Sequence, residues 1–152
     1  MNVKSLKTIQ KALTEIATVK RAEKNLIYPK NTIYVQVSAC KKSTEYIWNI
    51  LGEEGYLENK YAVVIPKINI IPEYLVVCLE RVTLKWMHRY VGKAINISMD
   101  LFKYLKVDYH ESVETQLFVL SILMPIKNEI ELIKNRIANE KKAKNYFLAK
   151  MM

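Results

Sequence analysis

The sequence predicts an all-α fold, an irregular four-helix bundle with a partly extended crossover, as one domain over residues 1–152 with a basic C-terminal tail from about residue 141. Three observations carry that expectation. Only three glycines and four prolines occur in 152 residues, so turns are few and long elements are favoured. Apolar residues make up 51% of the chain, enough for a sizeable core without disulfides or a metal. Two stretches, residues 72–95 and 110–150, repeat apolar residues at intervals of three and four, the spacing of one helix face.

Taken in order, residues 2–25 read as a first helix, with Leu6, Ile9, Leu13 and Ile16 inside and Lys4, Lys7, Lys11, Lys20, Arg21 and Lys24 outside. Tyr28-Pro29-Lys30-Asn31 is turn chemistry that ends it. Residues 32–37, TIYVQV, alternate as a strand would, while Ser43 to Leu51 place Ile47, Ile50 and Leu51 on one helical side. A second helix is therefore assigned from about Ser38. Gly52 and Gly55 loosen the chain before Tyr61 to Ile71, which reads as an extended crossover because Pro66 argues against a central strand.

Residues 72–95 form the element around which the others are arranged. Leu75, Leu79, Val82, Trp86 and Tyr90 draw an apolar stripe that asks for a core. Arg81, Lys85, Arg89 and Lys93 recur every four residues as a slowly winding basic ridge about 18 Å long. Pro72 suits the first turn and Gly92 falls where the helix closes. Beyond it, Ser98 is placed to cap a short helix reaching about Leu105. The last helix runs from about His110 to Lys150, with Val113, Leu117, Leu120, Met124, Ile126, Ile130, Ile133 and Ile137 as its buried stripe and a kink at Pro125.

The formal charge of +9 is concentrated at the two ends and on the 72–95 helix. Residues 1–30 hold seven Lys/Arg against two Asp/Glu and residues 127–152 seven against three, a balance that points to nucleic acid, an anionic membrane or an acidic protein. No apolar run is long enough to span a bilayer, since Leu117 to Ile126 is broken by Ser121 and Pro125. No secretory start is visible at Met1, so the expected location is intracellular, in a virion or a host cytoplasm, and the Asn96-Ile97-Ser98 sequon is a chance match. Cys40 and Cys78 lack metal-site spacing, which leaves free thiols of a reducing compartment or one disulfide.

Catalytic chemistry has little to build on. His88 and His110 stand far apart, Glu53 and Glu54 diverge on any helix, and no phosphate-loop, dinucleotide or zinc motif is present. The expectation is a protein without enzymatic activity or cofactor. The nucleic-acid expectation rests on Arg81, Lys85, Arg89 and Lys93, supported by Lys4, Lys7 and Lys11 and by Lys141, Lys142 and Lys144 of the tail. A ridge about 18 Å long faces on the order of ten phosphates of duplex DNA, so it docks backbone without reading sequence. Trp86 and Tyr90, on the apolar stripe, read as core aromatics rather than base-stacking platforms.

With its lysine-, isoleucine-, asparagine- and tyrosine-rich texture, seen in KNLIYPKNTIY and IKNEIELIKNRIANEKKAKNY, the predicted bundle resembles the small four-helix proteins of archaeal viruses, especially bicaudavirus coat proteins. The resemblance implies a self-assembling coat or nucleoprotein subunit that packs double-stranded DNA as a homo-oligomer. A related bundle of that group implies an alternative, an inhibitor of the host RNA polymerase. A second alternative is a winged-helix regulator, since residues 43–65 look like the last helix and wing of that fold. Glu45, Glu53, Glu54 and Glu58 make such a reading helix acidic.

Overall fold

A computed structural model describes residues 7–38, 48–92 and 96–151. Its elements are β1 (Ile9–Ala12), α1 (Leu13–Ile16), β2 (Ala17–Arg21), β3 (Ile27–Tyr28), β4 (Ile33–Gln36), β5 (Asn49–Ile50), β6 (Gly55–Tyr56) and β7 (Tyr61–Pro66). They continue with α2 (Pro72–Trp86), a π-helical turn (Met87–Val91), a 3-10 helix (Met99–Tyr104), β8 (Lys106–Tyr109) and α3 (Val113–Met151). The fold is mixed α/β with antiparallel sheets, which overturns the expected all-α four-helix bundle. By packing, the chain divides into two compact units, Met1–Leu117 and Phe118–Met152.

In the first unit a four-stranded sheet runs in the order β2-β7-β4-β5, and two two-stranded ribbons pair β1 with β8 and β3 with β6. β7 is hydrogen-bonded on both sides: Val64 stands opposite Val19 of β2 and Ile33 of β4, and Ala62 opposite Arg21 and Val35. Ala62, Val63 and Val64 are all buried, as expected of a strand covered on both faces, where apolar residues run on without alternating. The expected crossover is thus a central strand. Pro66, which lacks an N–H, sits at its last position opposite Ala17, where the missing donor costs least.

The expected first helix is one turn, α1, between two strands. Leu13 and Ile16 are buried as the spacing anticipated, but the flanking residues satisfy their backbone groups across space instead of along a helix. Residues 9–12 pair with 106–109, and residues 17–21 with 62–66. The alternation in residues 32–37 is a true strand signal, realised as β4. Asn49–Ile50 is a strand too, so the helix expected from about Ser38 through Leu51 does not reach those residues, and the rest of the segment that the winged-helix alternative takes as its reading helix lies outside the described residues. Residues 39–47, and Cys40 with them, lie outside the described residues; Cys78 is a free, buried thiol.

The helix expected over 72–95 forms from Pro72 to Trp86 and runs on into the π-helical turn, while residues 93–95 lie outside the described residues. Pro72 occupies the first turn, and Leu75, Leu79 and Trp86 are buried. The π-helical turn then closes at Gly92, whose N–H donates to the Met87 carbonyl at 2.9 Å. The short helix predicted after Ser98 is the 3-10 helix, with Ser98 at its cap position and no side-chain capping bond.

α3 also forms as predicted, with Pro125 inside it. Its stripe is a different matter. Of that stripe, Leu117, Ile126, Ile130, Ile133 and Ile137 are exposed while Val113, Leu120 and Met124 are half-buried, and Ile122 beside them is exposed too, so most of the apolar face expected to be core is uncovered in the single chain. Among the described residues no helix is long and apolar enough to cross a membrane.

Candidate nucleic-acid interface

Three cations of α2 and its π-turn meet the β1–β8 ribbon around a cleft of about 300 Å³ in the first unit. Arg81, Lys85 and Arg89 form one wall. Helical spacing accounts for the first two, and the wider π-turn carries the third. Buried Trp86 lies between them. Its indole N–H donates to the Leu101 carbonyl at 3.0 Å and its ring stacks on Phe102, with centroids 5.3 Å apart, which ties the helix to the 3-10 segment.

The opposite wall comes from the ribbon. Leu105 ends the 3-10 helix fully buried and accepts the Leu13 N–H at 2.8 Å, and this sets β8 against β1. Because strand side chains alternate, Lys106 and Asp108 share one face of β8, and Gln10 lies directly opposite Asp108 in the register. All three line the cleft. Val107 and Tyr109, on the other face, are buried.

At the rim, Tyr90 and Tyr104 stack nearly parallel, with centroids 4.9 Å apart and an interplanar angle of 9°. Arg89 lies 5.5 Å from the Tyr90 ring centroid and Lys103 5.0 Å from that of Tyr104, so cations flank the stack. Tyr90 is 36% exposed and Tyr104 44%. Trp86 is a core aromatic as expected. Tyr90 is not, because the π-turn adds a residue to its turn and swings it off the stripe. Among the described residues no carboxylate forms an ion pair with Arg81, Lys85 or Arg89.

Other predicted site residues fall elsewhere. Lys11 neighbours Gln10 in β1 and so belongs to the opposite face of the ribbon, and Lys7 precedes that strand; both are exposed. Lys141, Lys142 and Lys144 are exposed on α3 in the second unit. Lys4 and Lys93 lie outside the described residues. Gln10, Lys103, Tyr104, Lys106 and Asp108 were not anticipated. A basic-aromatic signal existed in KYLKVDY, residues 103–109, but nothing local joins it to the helix.

At the start of α2, the Tyr74 hydroxyl bonds the His110 imidazole Nδ1 and accepts the His110 backbone N–H at 2.8 Å. Burial pushes the Tyr74 phenol above its usual range, against the pull of the His110 backbone bond. Burial likewise raises the Cys78 thiol, with the Tyr74 hydrogen bond and the Arg81 charge opposing it. His88 is exposed. Among the described residues no group of three or more His, Cys, Asp or Glu is arranged to hold a metal ion.

No family model and no curated protein matches this chain. Its fold is similar to two solved structures. One is the type I restriction-modification system S subunit from M. genitalium, at TM-score 0.65 and 14% identity over 88% of this chain and 42% of that one. The other is the HsdS subunit from Thermoanaerobacter tengcongensis, at TM-score 0.60 and 9% identity over 86% and 40%. The chain spans about two fifths of the length of these subunits. The neighbours overturn the resemblance to archaeal-virus bundle proteins, which rested on a helical architecture the chain lacks.

Proposed function

We propose that this chain is a non-enzymatic DNA-binding module of the restriction-modification S-subunit type, docking duplex DNA against the α2 cleft. The observation that carries the proposal is the convergence of Arg81, Lys85 and Arg89 with Lys106 around one open cleft, in a chain of formal charge +9. Cations without carboxylate partners can exchange bound counterions for phosphates, and that exchange is the main source of backbone affinity. The S-subunit fold adds independent support, because a restriction-modification system acts on DNA. The coat-protein and polymerase-inhibitor alternatives rested on the archaeal-virus resemblance and lose that support with it.

The salt dependence of binding tests the proposal. Fluorescence anisotropy on a random-sequence duplex, across a salt series, should give a steep log–log slope for the wild type. Replacing Arg81, Lys85 and Arg89 together with Ala should flatten that slope by roughly three units, about 0.9 for each phosphate that is no longer neutralised. An unchanged slope would falsify the cleft as the docking face.

Self-association is the second part of the proposal, and the exposed isoleucine stripe of α3 supports it. Ile122, Ile126, Ile130, Ile133 and Ile137 recur at intervals of four, four, three and four, so they form one seam along the helix. A second copy presents the same seam and covers it symmetrically.

A further inference from the structure

We infer that Gln10 and Asp108, facing each other across the β1–β8 ribbon, read base edges in duplex DNA, so that the cleft selects sequence as well as binding backbone. The inference rests on the DNA-binding proposal and goes beyond it, because the cations alone would bind every sequence alike. Asp108 is the observation that carries it. A surface built only for phosphate has no use for a carboxylate, which repels the backbone, yet Asp108 lines the same cleft as Arg81, Lys85, Arg89 and Lys106. Among the described residues neither a hydrogen bond nor an ion pair engages its carboxylate, which leaves its acceptor oxygens open to a ligand in the cleft.

Its partner in the register sharpens the chemistry. Gln10 stands directly opposite Asp108, which in an antiparallel pair sets the two side chains about 5 Å apart on the same face. Gln10 offers an amide that both donates and accepts, the combination that pairs with adenine N6 and N7. Asp108 offers only acceptors, which suit the exocyclic amine of cytosine. A two-stranded ribbon is narrow enough to enter a major groove about 12 Å wide, and there each base pair shows a distinct donor and acceptor pattern. Lys106, two residues before Asp108 on that face, and the α2 cations are then placed to hold the flanking phosphates.

The test is selection of the full-length protein on a randomised duplex library, followed by affinity measurements on the enriched site and on random duplex for the wild type, Gln10→Ala and Asp108→Asn. Circular dichroism confirms that each variant is folded. The expected result is an enriched motif whose preference over random duplex falls roughly ten- to a hundredfold in either variant. Asp108→Asn removes a negative charge, so its affinity for random duplex should hold or rise while its preference falls. An enriched motif kept in full by both variants, or wild-type binding without any base preference, overturns this inference and leaves the docking proposal standing. Failure of the wild type to bind any duplex overturns both.

Discussion

Gln116 makes two hydrogen bonds that few other residues could combine. Fully buried at the start of α3, it accepts the Ile71 N–H at 2.9 Å and donates to the His110 carbonyl at 2.8 Å. It thus serves a backbone donor at the mouth of α2 that no capping side chain reaches. Replacing it with Leu strands both backbone groups in the interior and should cost about 2–4 kcal/mol, read as a lower urea midpoint at unchanged slope. Thr83 has a similar role: it accepts the Trp48 indole N–H at 2.7 Å and donates to the Leu79 carbonyl. The titrating groups add a pH dependence. Tyr74, Cys78 and Tyr109 are all raised by burial, so the fold favours their neutral forms. Their contribution is complete below the ordinary thiol and phenol ranges and is lost as pH climbs toward the raised values. Stability followed by chemical denaturation should therefore stay level through neutrality and decline above about pH 9, with a shallower decline in Tyr74→Phe.

At the scale of elements, the π-turn decides where the cations go. Met87–Val91 widens the helix just before it ends, bringing Arg89 into line with Arg81 and Lys85 at the cleft and turning Tyr90 outward onto Tyr104. The turn depends on Gly92, whose φ of 59° is a conformation that side chains resist. Gly92→Ala should cost about 1–2 kcal/mol and lower the melting temperature by several degrees. A variant as stable as the wild type would show that the turn tolerates a Cβ. Helix positions such as these were legible because helical hydrogen bonds close within four or five residues, and Pro72, Trp86 and Gly92 signal their own roles. The strands were not. Ile9, Leu13 and Ile16 satisfy a helical spacing, and the apolar run of residues 62–64 has no alternation to betray a strand buried on both faces.

For the whole molecule, charge and exposed apolar surface make separate demands. The +9 balance favours association with a polyanion at low salt, and the isoleucine stripe of α3 asks for a second helix. Sedimentation should find the protein dimeric or larger, and Ile130→Glu with Ile133→Glu should return it to monomer without unfolding the first unit. A wild type that sediments as a monomer at tens of micromolar would remove the self-association proposal.

The local signals in this sequence were sufficient for α2, α3, the break at Asn96–Ser98 and the four-residue rhythm of Arg81, Lys85 and Arg89, because each is set by residues within one or two helical turns. Only tertiary structure decided that residues 9–12 and 17–21 are strands, that residues 61–66 lie at the centre of a sheet, and that most of the α3 stripe is bare. It alone decided that Gln10 and Asp108, from opposite ends of the first unit, share a cleft with the basic ridge. Strand pairing satisfies each backbone group with a partner far away in sequence, and no local period records which partner that will be.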